Sequence, residues 1–124
     1  RTKEKNFIIV DAAMNNLIRP TLYEAFHNIE PIKKTNRPII LSDVVGPICE
    51  TGDYIALDRK INQVESNELL AIRTTGAYSS VMRSNYNTRP DAKEIIIYNQ
   101  KDHLIREPET IEELISKEKI INFD

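Results

Sequence analysis

Hydrophobic residues near the start of the chain follow two short patterns. Residues 7–10 form a continuous apolar run, which predicts a strand buried on both faces. The small and polar residues 11–16 predict a turn region. In residues 17–26 apolar side chains recur at helical spacing, and Pro20 suits a first helical turn, so this stretch predicts a short helix.

From His27 onward the apolar stretches become short and β-like, with turn signals at Thr35, Pro47 and Asn62. The predicted strands are 28–32, 37–45, 53–58 and 68–75. Several short strands with such punctuation predict a mainly β domain, of barrel or sandwich type with Greek-key-like connections and a few short helices, rather than a parallel sheet.

The last third of the chain predicts a hairpin and a capped helix. Residues 93–98 contain three consecutive isoleucines, and residues 102–107 can pair with them. Thr110 and Glu113 have the spacing of a capping box, which predicts a helix start. Residues 79–85 fit either a short helix or an irregular connection. Because no repeat or linker interrupts the chain, residues 1–124 are expected to form a single domain.

Composition narrows the class of protein. The 124 residues include 17 basic and 19 acidic side chains but only 6% aromatic residues, which disfavours nucleic acid as a partner. One cysteine and two histidines predict neither a disulfide framework nor a metal site, and indicate a reducing compartment. No stretch approaches the roughly 20 apolar residues of a membrane span. The chain starts in charged residues without Met, so we expect a fragment or a processed piece.

The most distinctive segment is 46–53, which reads GPICETGD. Gly46 and Gly52 can adopt positive φ at little cost, and the proline between them stiffens the turn, so the thiol of Cys49 and the carboxylate of Glu50 are predicted to point outward. A thiol titrates near enough to neutral pH to serve as an acid or a nucleophile. The segment alone leaves a second interpretation open, because a lone cysteine is more often a small buried hydrophobe.

Two further places combine polar reach with suitable spacing. Arg19 and Tyr23 lie four apart on the predicted helix, so they face the same way and can grip one carboxylate or phosphate. The alternative is an exposed arginine stacked on a core tyrosine. Tyr78 follows Gly76, whose small size allows a close backbone approach, and its phenol can donate to an anion. A half-buried tyrosine with its hydroxyl at the surface is the alternative.

Read together, these segments resemble the carboxy-terminal domain of bacterial diaminopimelate decarboxylase, a fold-type III, alanine-racemase-like pyridoxal-phosphate enzyme. The resemblance extends over most of the chain in four ordered motifs: 10–23 (VDAAMNNLIRPTLY), 43–53 (DVVGPICETGD), 76–78 (GAY) and 84–90 (SNYNTRP). Ala13, Thr51 and Ser79 depart from the family pattern, which usually has Gly, Ser and Gly there. Glu50 follows the diaminopimelate pattern, since the ornithine and arginine enzymes typically have Asp after the cysteine.

The resemblance implies roles for five residues. Arg19 and Tyr23 would hold the distal carboxylate of the substrate, and Glu50 would recognise its distal amino group. Cys49 would be the catalytic acid that reprotonates the α-carbon after carbon dioxide leaves. Tyr78 would contact both the cofactor and the substrate.

The resemblance also implies a larger enzyme that converts meso-2,6-diaminopimelate to L-lysine and carbon dioxide in the cytoplasm, as the last step of lysine biosynthesis. An amino-terminal β/α barrel, absent from this chain, would carry the lysine that binds pyridoxal 5'-phosphate. The subunits would form a homodimer in which the cysteine loop reaches the partner's active site. The chain alone is expected to be inactive, with no metal, nucleic acid or membrane involved.

Two other functions stay open at the level of the sequence. One is a related decarboxylase acting on another basic amino acid, which turnover of ornithine but not diaminopimelate would favour. The other is a non-catalytic β-domain for subunit association or ligand binding. Unchanged turnover after Cys49→Ala would favour that structural role.

Overall fold

The computed structural model describes residues 5–123, and the chain forms two compact units that divide between Arg83 and Ser84. The first unit is built around a three-stranded sheet in the order β1-β3-β4. Its strands are β1 (Asn6–Ile9), β3 (Ile39–Val45) and β4 (Tyr54–Asn62). Strand β1 runs parallel to β3, and β3 runs antiparallel to β4.

A second, two-stranded sheet of the first unit pairs β2 (Ile29–Pro31) with β5 (Leu70–Ile72) in antiparallel fashion. Two short helical segments complete this unit, α1 (Arg19–Tyr23) and α2 (Gly76–Met82), and the backbone of α2 is not helical at Ala77 and Tyr78. Helix α1 begins at Arg19, two residues later than predicted, and Pro20 lies in its first turn as expected. It ends earlier than predicted because Glu24 adopts a left-handed φ of 54°, which stops the helical hydrogen bonding.

The second unit contains the hairpin of β6 (Glu94–Tyr98) and β7 (Lys101–Arg106), preceded by a 3₁₀ turn at Tyr86–Thr88 and followed by α3 (Ile111–Ile115). Asn99 and Gln100 both have positive φ, as a two-residue type I′ hairpin loop requires. The predicted hairpin is therefore confirmed.

The predicted capping box at the start of α3 is also confirmed. The Glu113 amide donates to Thr110 Oγ1 at 3.1 Å. The Thr110 amide in turn donates to Glu113 Oε2 at 2.8 Å. Each residue therefore satisfies a donor of the other at the end of the helix where backbone amides lack partners.

The core of the first unit is formed by residues from both of its sheets and from the segment before α1. Its buried apolar residues are Leu17, Ile29, Val44, Ile55, Ala56 and Ile61. Strand β1 is not buried on both faces as predicted, since Phe7 and Ile9 are 46% and 72% exposed. Strand side chains alternate between the two faces, so Ile8 packs on the core while its neighbours face away from it.

An acidic side chain in the middle of β3 is explained by a bulge. Strand β4 has an extra residue between its pairings with Ser42 and Val44, and Asp58 there has a φ of 48°. The Asp58 amide donates to the buried carboxylate of Asp43 at 2.8 Å, and Lys5 Nζ lies 2.7 Å from its other oxygen. The ammonium and the freed amide compensate the burial of this charge.

The predicted fold class is confirmed as mainly β with a few short helices. The strands of residues 5–123 lie in three separate sheets and close no barrel. The sequence also did not predict the parallel pairing of β1 with β3. It depends on the long connection 10–38, whose path a local pattern does not encode.

Candidate functional site

The connection from β3 to β4 is a tight loop organised by the buried side chain of Asp53, which is 4% exposed. Its Oδ2 accepts a hydrogen bond from the amide of Ile48 at 2.6 Å. Its Oδ1 accepts one from the amide of Met14 at 2.7 Å, although Met14 is 39 residues away. One carboxylate thus stabilises this loop, here called the cysteine loop (residues 46–53), and ties it to another segment.

The two glycines of the cysteine loop provide space for neighbouring side chains and do not use the positive φ that is open to glycine. Neither Gly46 nor Gly52 has a positive φ. A Cβ on Gly46 would lie 2.3 Å from Asp53 Oδ2, and a Cβ on Gly52 would lie 2.9 Å from Thr21 Cγ2. Both distances are below van der Waals contact. The side chains of Asp53 and Thr21 therefore occupy the space that a Cβ atom on Gly46 or Gly52 would need.

Cys49 and Glu50 lie side by side at the exposed part of this loop. The thiol is free and exposed, so the alternative of a small buried hydrophobe is wrong for this chain. Glu50 Oε1 accepts a hydrogen bond from the Gly52 amide at 3.2 Å, and the side chain is exposed. The loop therefore presents a possible proton donor and a carboxylate together, as predicted.

Helix α1 contacts the cysteine loop through its middle residue. Thr21 Oγ1 donates to the carbonyl oxygen of Gly52 at 2.5 Å. The segment before this helix is itself ordered, because the Ala13 amide donates to Asn16 Oδ1 at 3.1 Å and the Asn16 amide to the Ala13 carbonyl at 2.9 Å. The structure thus brings the helix that carries Arg19 and Tyr23 against the loop that carries Cys49.

Arg19 also lies against Tyr78. The guanidinium carbon is 5.4 Å from the centre of the tyrosine ring, within the range of a cation–π contact. Tyr78 is 61% exposed and has a φ of 71°, which is rare for a bulky residue. Arg19 therefore stacks on a tyrosine, as the alternative interpretation expected. This tyrosine is exposed and lies outside helix α1, whereas the alternative placed it in the core. Tyr23 is also exposed.

Two residues that fix this arrangement were missed as site residues in the sequence. Thr21 and Asp53 both lie inside the recognised motifs, but neither type suggests catalysis by itself. The available signal was an acid directly after a loop glycine, since aspartate commonly hydrogen-bonds nearby backbone amides in turns. The partner from the distant segment, Met14, carries no such signal.

Metal and membrane sites can be assessed from residues 5–123. No group of three or more His, Cys, Asp or Glu side chains there is placed to hold a metal ion. No helix in this range has the length and apolar character needed to cross a membrane. His27 is buried, with Nδ1 3.1 Å from the carbonyl oxygen of Arg73.

Comparison with known proteins identifies the family. Residues 1–76 match the family model for the C-terminal sheet domain of pyridoxal-dependent decarboxylases. The chain belongs to this family.

Individual relatives of the chain carry a more specific enzyme name than the family model does. The chain is 49% identical to the diaminopimelate decarboxylase of Aquifex aeolicus (strain VF5) over 90% of its length. It is 47% identical to that of Neisseria meningitidis serogroup A over 94%. The crystal structure of diaminopimelate decarboxylase from M. jannaschii in complex with L-lysine superposes with a TM-score of 0.92 at 35% identity, covering 98% of this chain. These matches cover only 26%, 28% and 28% of the respective relatives.

Proposed function

We propose that this chain is the carboxy-terminal domain of a decarboxylase that converts meso-2,6-diaminopimelate to L-lysine and carbon dioxide. The observation that carries the proposal is the cysteine loop, which presents the exposed Cys49 and Glu50 side by side and is held by the buried Asp53. The similarity to enzymes named diaminopimelate decarboxylase supports the same reaction.

The residues of this chain indicate which steps a cofactor would perform and which the chain would perform. Pyridoxal phosphate, when bound, supplies the electron sink for the carbanion that decarboxylation leaves. Tyr78 fits contact with such an aromatic group, because its ring is exposed and its backbone is held in a left-handed conformation. None of the nine lysines in the sequence has a recognisable Schiff-base context, so we assign anchoring of the cofactor to the amino-terminal barrel.

The residues of this chain bind the substrate and deliver a proton. Cys49 donates its thiol proton to the α-carbon after carbon dioxide has left, which is general acid catalysis. Arg19 presents a planar fork to the distal carboxylate of the substrate, with Tyr23 beside it on α1. Glu50 pairs with the distal amino group. Substrates that lack either distal group leave one of these charges without its partner, which disfavours them.

The proposal includes the assembly implied by the resemblance. The remaining part of the protein is a β/α barrel, the subunits form a homodimer, and the cysteine loop of one subunit reaches the active site of its partner. We expect the enzyme in the cytoplasm. These statements rest on the family resemblance and on the share of each relative that the chain matches.

The proposal is tested by assaying the full-length protein with meso-diaminopimelate, ornithine and lysine as substrates, and by comparing Cys49→Ala with the wild type. We expect release of carbon dioxide from diaminopimelate only. We also expect kcat to fall by about a hundredfold or more in Cys49→Ala, because a positioned acid contributes on that scale. Thr51→Ser is the control, since it changes a neighbouring exposed side chain by one methyl group.

The opposite results favour the other two functions. Turnover of ornithine without turnover of diaminopimelate would assign the protein to another basic amino acid. Wild-type kcat in Cys49→Ala would remove the thiol from the mechanism and favour a structural domain.

A further inference from the structure

We propose that Thr21 and Asp53 are positioning residues that together hold the cysteine loop in its working conformation. We call this pair the clasp. The effect of the clasp on catalysis rests on the proposed function. Its effect on the order of the loop does not. Neither residue would touch the substrate, since both act through the loop that carries Cys49 and Glu50.

The Asp53 half of the clasp joins two segments through one carboxylate. Each oxygen accepts one backbone amide, from Ile48 at 2.6 Å and from Met14 at 2.7 Å. Both bonds are charge-assisted, and charge-assisted bonds are about twice as strong as neutral ones. Ile48 directly precedes Cys49, so the bond fixes the backbone from which the thiol projects.

The Thr21 half acts on the other side of Cys49. Thr21 Oγ1 donates to the Gly52 carbonyl at 2.5 Å, and Gly52 is two residues after Glu50. The bare Cα of this glycine lets the methyl of Thr21 approach closely. On a helix, residues two apart point to different sides, so Thr21 contacts the loop while Arg19 and Tyr23 face elsewhere.

The two halves enclose the loop between fixed points at Ile48 and Gly52. Cys49 and Glu50 lie between these points, with the proposed proton donor and the proposed specificity group on one short stretch of backbone. A loosened clasp therefore disturbs proton delivery and substrate recognition together. A general loss of folded protein would instead lower the apparent kcat and leave KM unchanged.

The experiment compares Thr21→Val with Thr21→Ser in the full-length protein. Valine keeps the methyl group and removes the hydroxyl, whereas serine keeps the hydroxyl. We expect the backbone amides of residues 48–53 to exchange with deuterium about fivefold faster in Thr21→Val, the effect of losing one hydrogen bond. We also expect a lower kcat and a higher KM for diaminopimelate in this variant. Thr21→Ser should remain within about twofold of the wild type in all three quantities.

A second variant tests the other half of the clasp. The amide of Asp53→Asn has a single acceptor oxygen, so only one of the two backbone amides keeps its bond. Exchange should therefore rise in residues 13–15 or in residues 48 and 49 while the strands of the first sheet stay protected. Should this variant not fold, the threonine pair still decides the question.

The inference is overturned by wild-type exchange of the cysteine loop in Thr21→Val, or by equal effects of the valine and serine variants. It is also overturned when the loop exchanges faster but kcat and KM stay at wild-type values. A wild-type protein that releases no carbon dioxide from diaminopimelate would refute the proposed function instead. The difference in exchange between the two threonine variants would then still support the clasp as a feature of the fold.

Discussion

At the scale of single residues, Arg37 connects the start of β3 to the turn before β5. Its Nη2 lies 2.5 Å from Glu68 Oε1, and its Nη1 lies 3.6 Å from Glu65 Oε1. The other oxygen of Glu68 accepts the Glu65 amide at 2.9 Å. These bonds favour the ionised carboxylate, and the bond from Arg37, the largest cause, holds the pKa of Glu68 below its ordinary value.

The direction of this shift predicts how stability depends on pH. A carboxyl group whose pKa is lower when folded than when unfolded stabilises the fold above its unfolded pKa, about 4.3 for glutamate, and loses this contribution as the pH falls through the folded pKa. Glu68→Gln should therefore lower the free energy of unfolding of this chain at neutral pH, and the difference from the wild type should disappear in acid. Urea unfolding curves across this pH range measure it.

Glu107→Gln is the control, because it removes the same charge in the exposed segment after β7. A difference between Glu68→Gln and the wild type that stays constant from neutral pH into acid would contradict the assigned pKa direction.

At the scale of elements, the conformation of the cysteine loop depends on Gly46 having no side chain. Asp53 reaches its two amides only because its carboxylate passes the Cα of Gly46. The loop is thereby fixed between β3 and β4 without positive φ at either of its glycines. Its shape is set by packing and hydrogen bonds more than by backbone freedom.

We predict that Gly46→Ala destabilises the first unit, because the added Cβ would displace the Asp53 carboxylate, and the buried amides would lose their acceptor. The expected cost is about 1 to 3 kcal/mol in the free energy of unfolding, measured by urea titration. Gly76→Ala is the matched control, since a Cβ there meets nothing within 4 Å and its φ is not positive. Equal losses in the two variants would show that Asp53 is not the cause.

Elements that are determined by residues close together in the sequence were predicted well. The capping box of Thr110 and Glu113 and the hairpin around Asn99 each depend on a few neighbouring residues. The sequence could not decide whether Cys49 is buried. That depends on Asp53 meeting Met14, a contact between segments that nothing local indicates. The ordered motifs gave the candidate site residues, and the structure added Thr21 and Asp53, which hydrogen-bond to the backbone of the cysteine loop.

At the scale of the whole molecule, this chain corresponds to just over a quarter of the relatives it matches. It belongs to a family of sheet domains, and under the proposed function its site residues would bind, orient and protonate the substrate. The chemistry of carbon dioxide loss needs a cofactor whose anchoring we assign to the amino-terminal barrel. The proposed activity therefore belongs to the assembled protein.

This division predicts that the 124-residue chain, incubated with pyridoxal phosphate and then desalted, retains no stoichiometric cofactor. The full-length protein should retain about one per subunit, because only it would contain the anchoring lysine. Absorbance spectra and phosphate analysis of the desalted proteins measure the ratio. Stoichiometric retention by the short chain would place an anchoring lysine among its nine and refute the assignment.

At Tyr78 the left-handed backbone favours one residue type and the contact with Arg19 favours another. A φ of 71° is strained for tyrosine by roughly 1 to 3 kcal/mol and easy for glycine. A sequence optimised only for stability would therefore choose glycine there and discard the ring that lies against Arg19. The tyrosine is explained by what its ring contacts, so protein engineers who aim for a more heat-resistant variant should leave this residue unchanged.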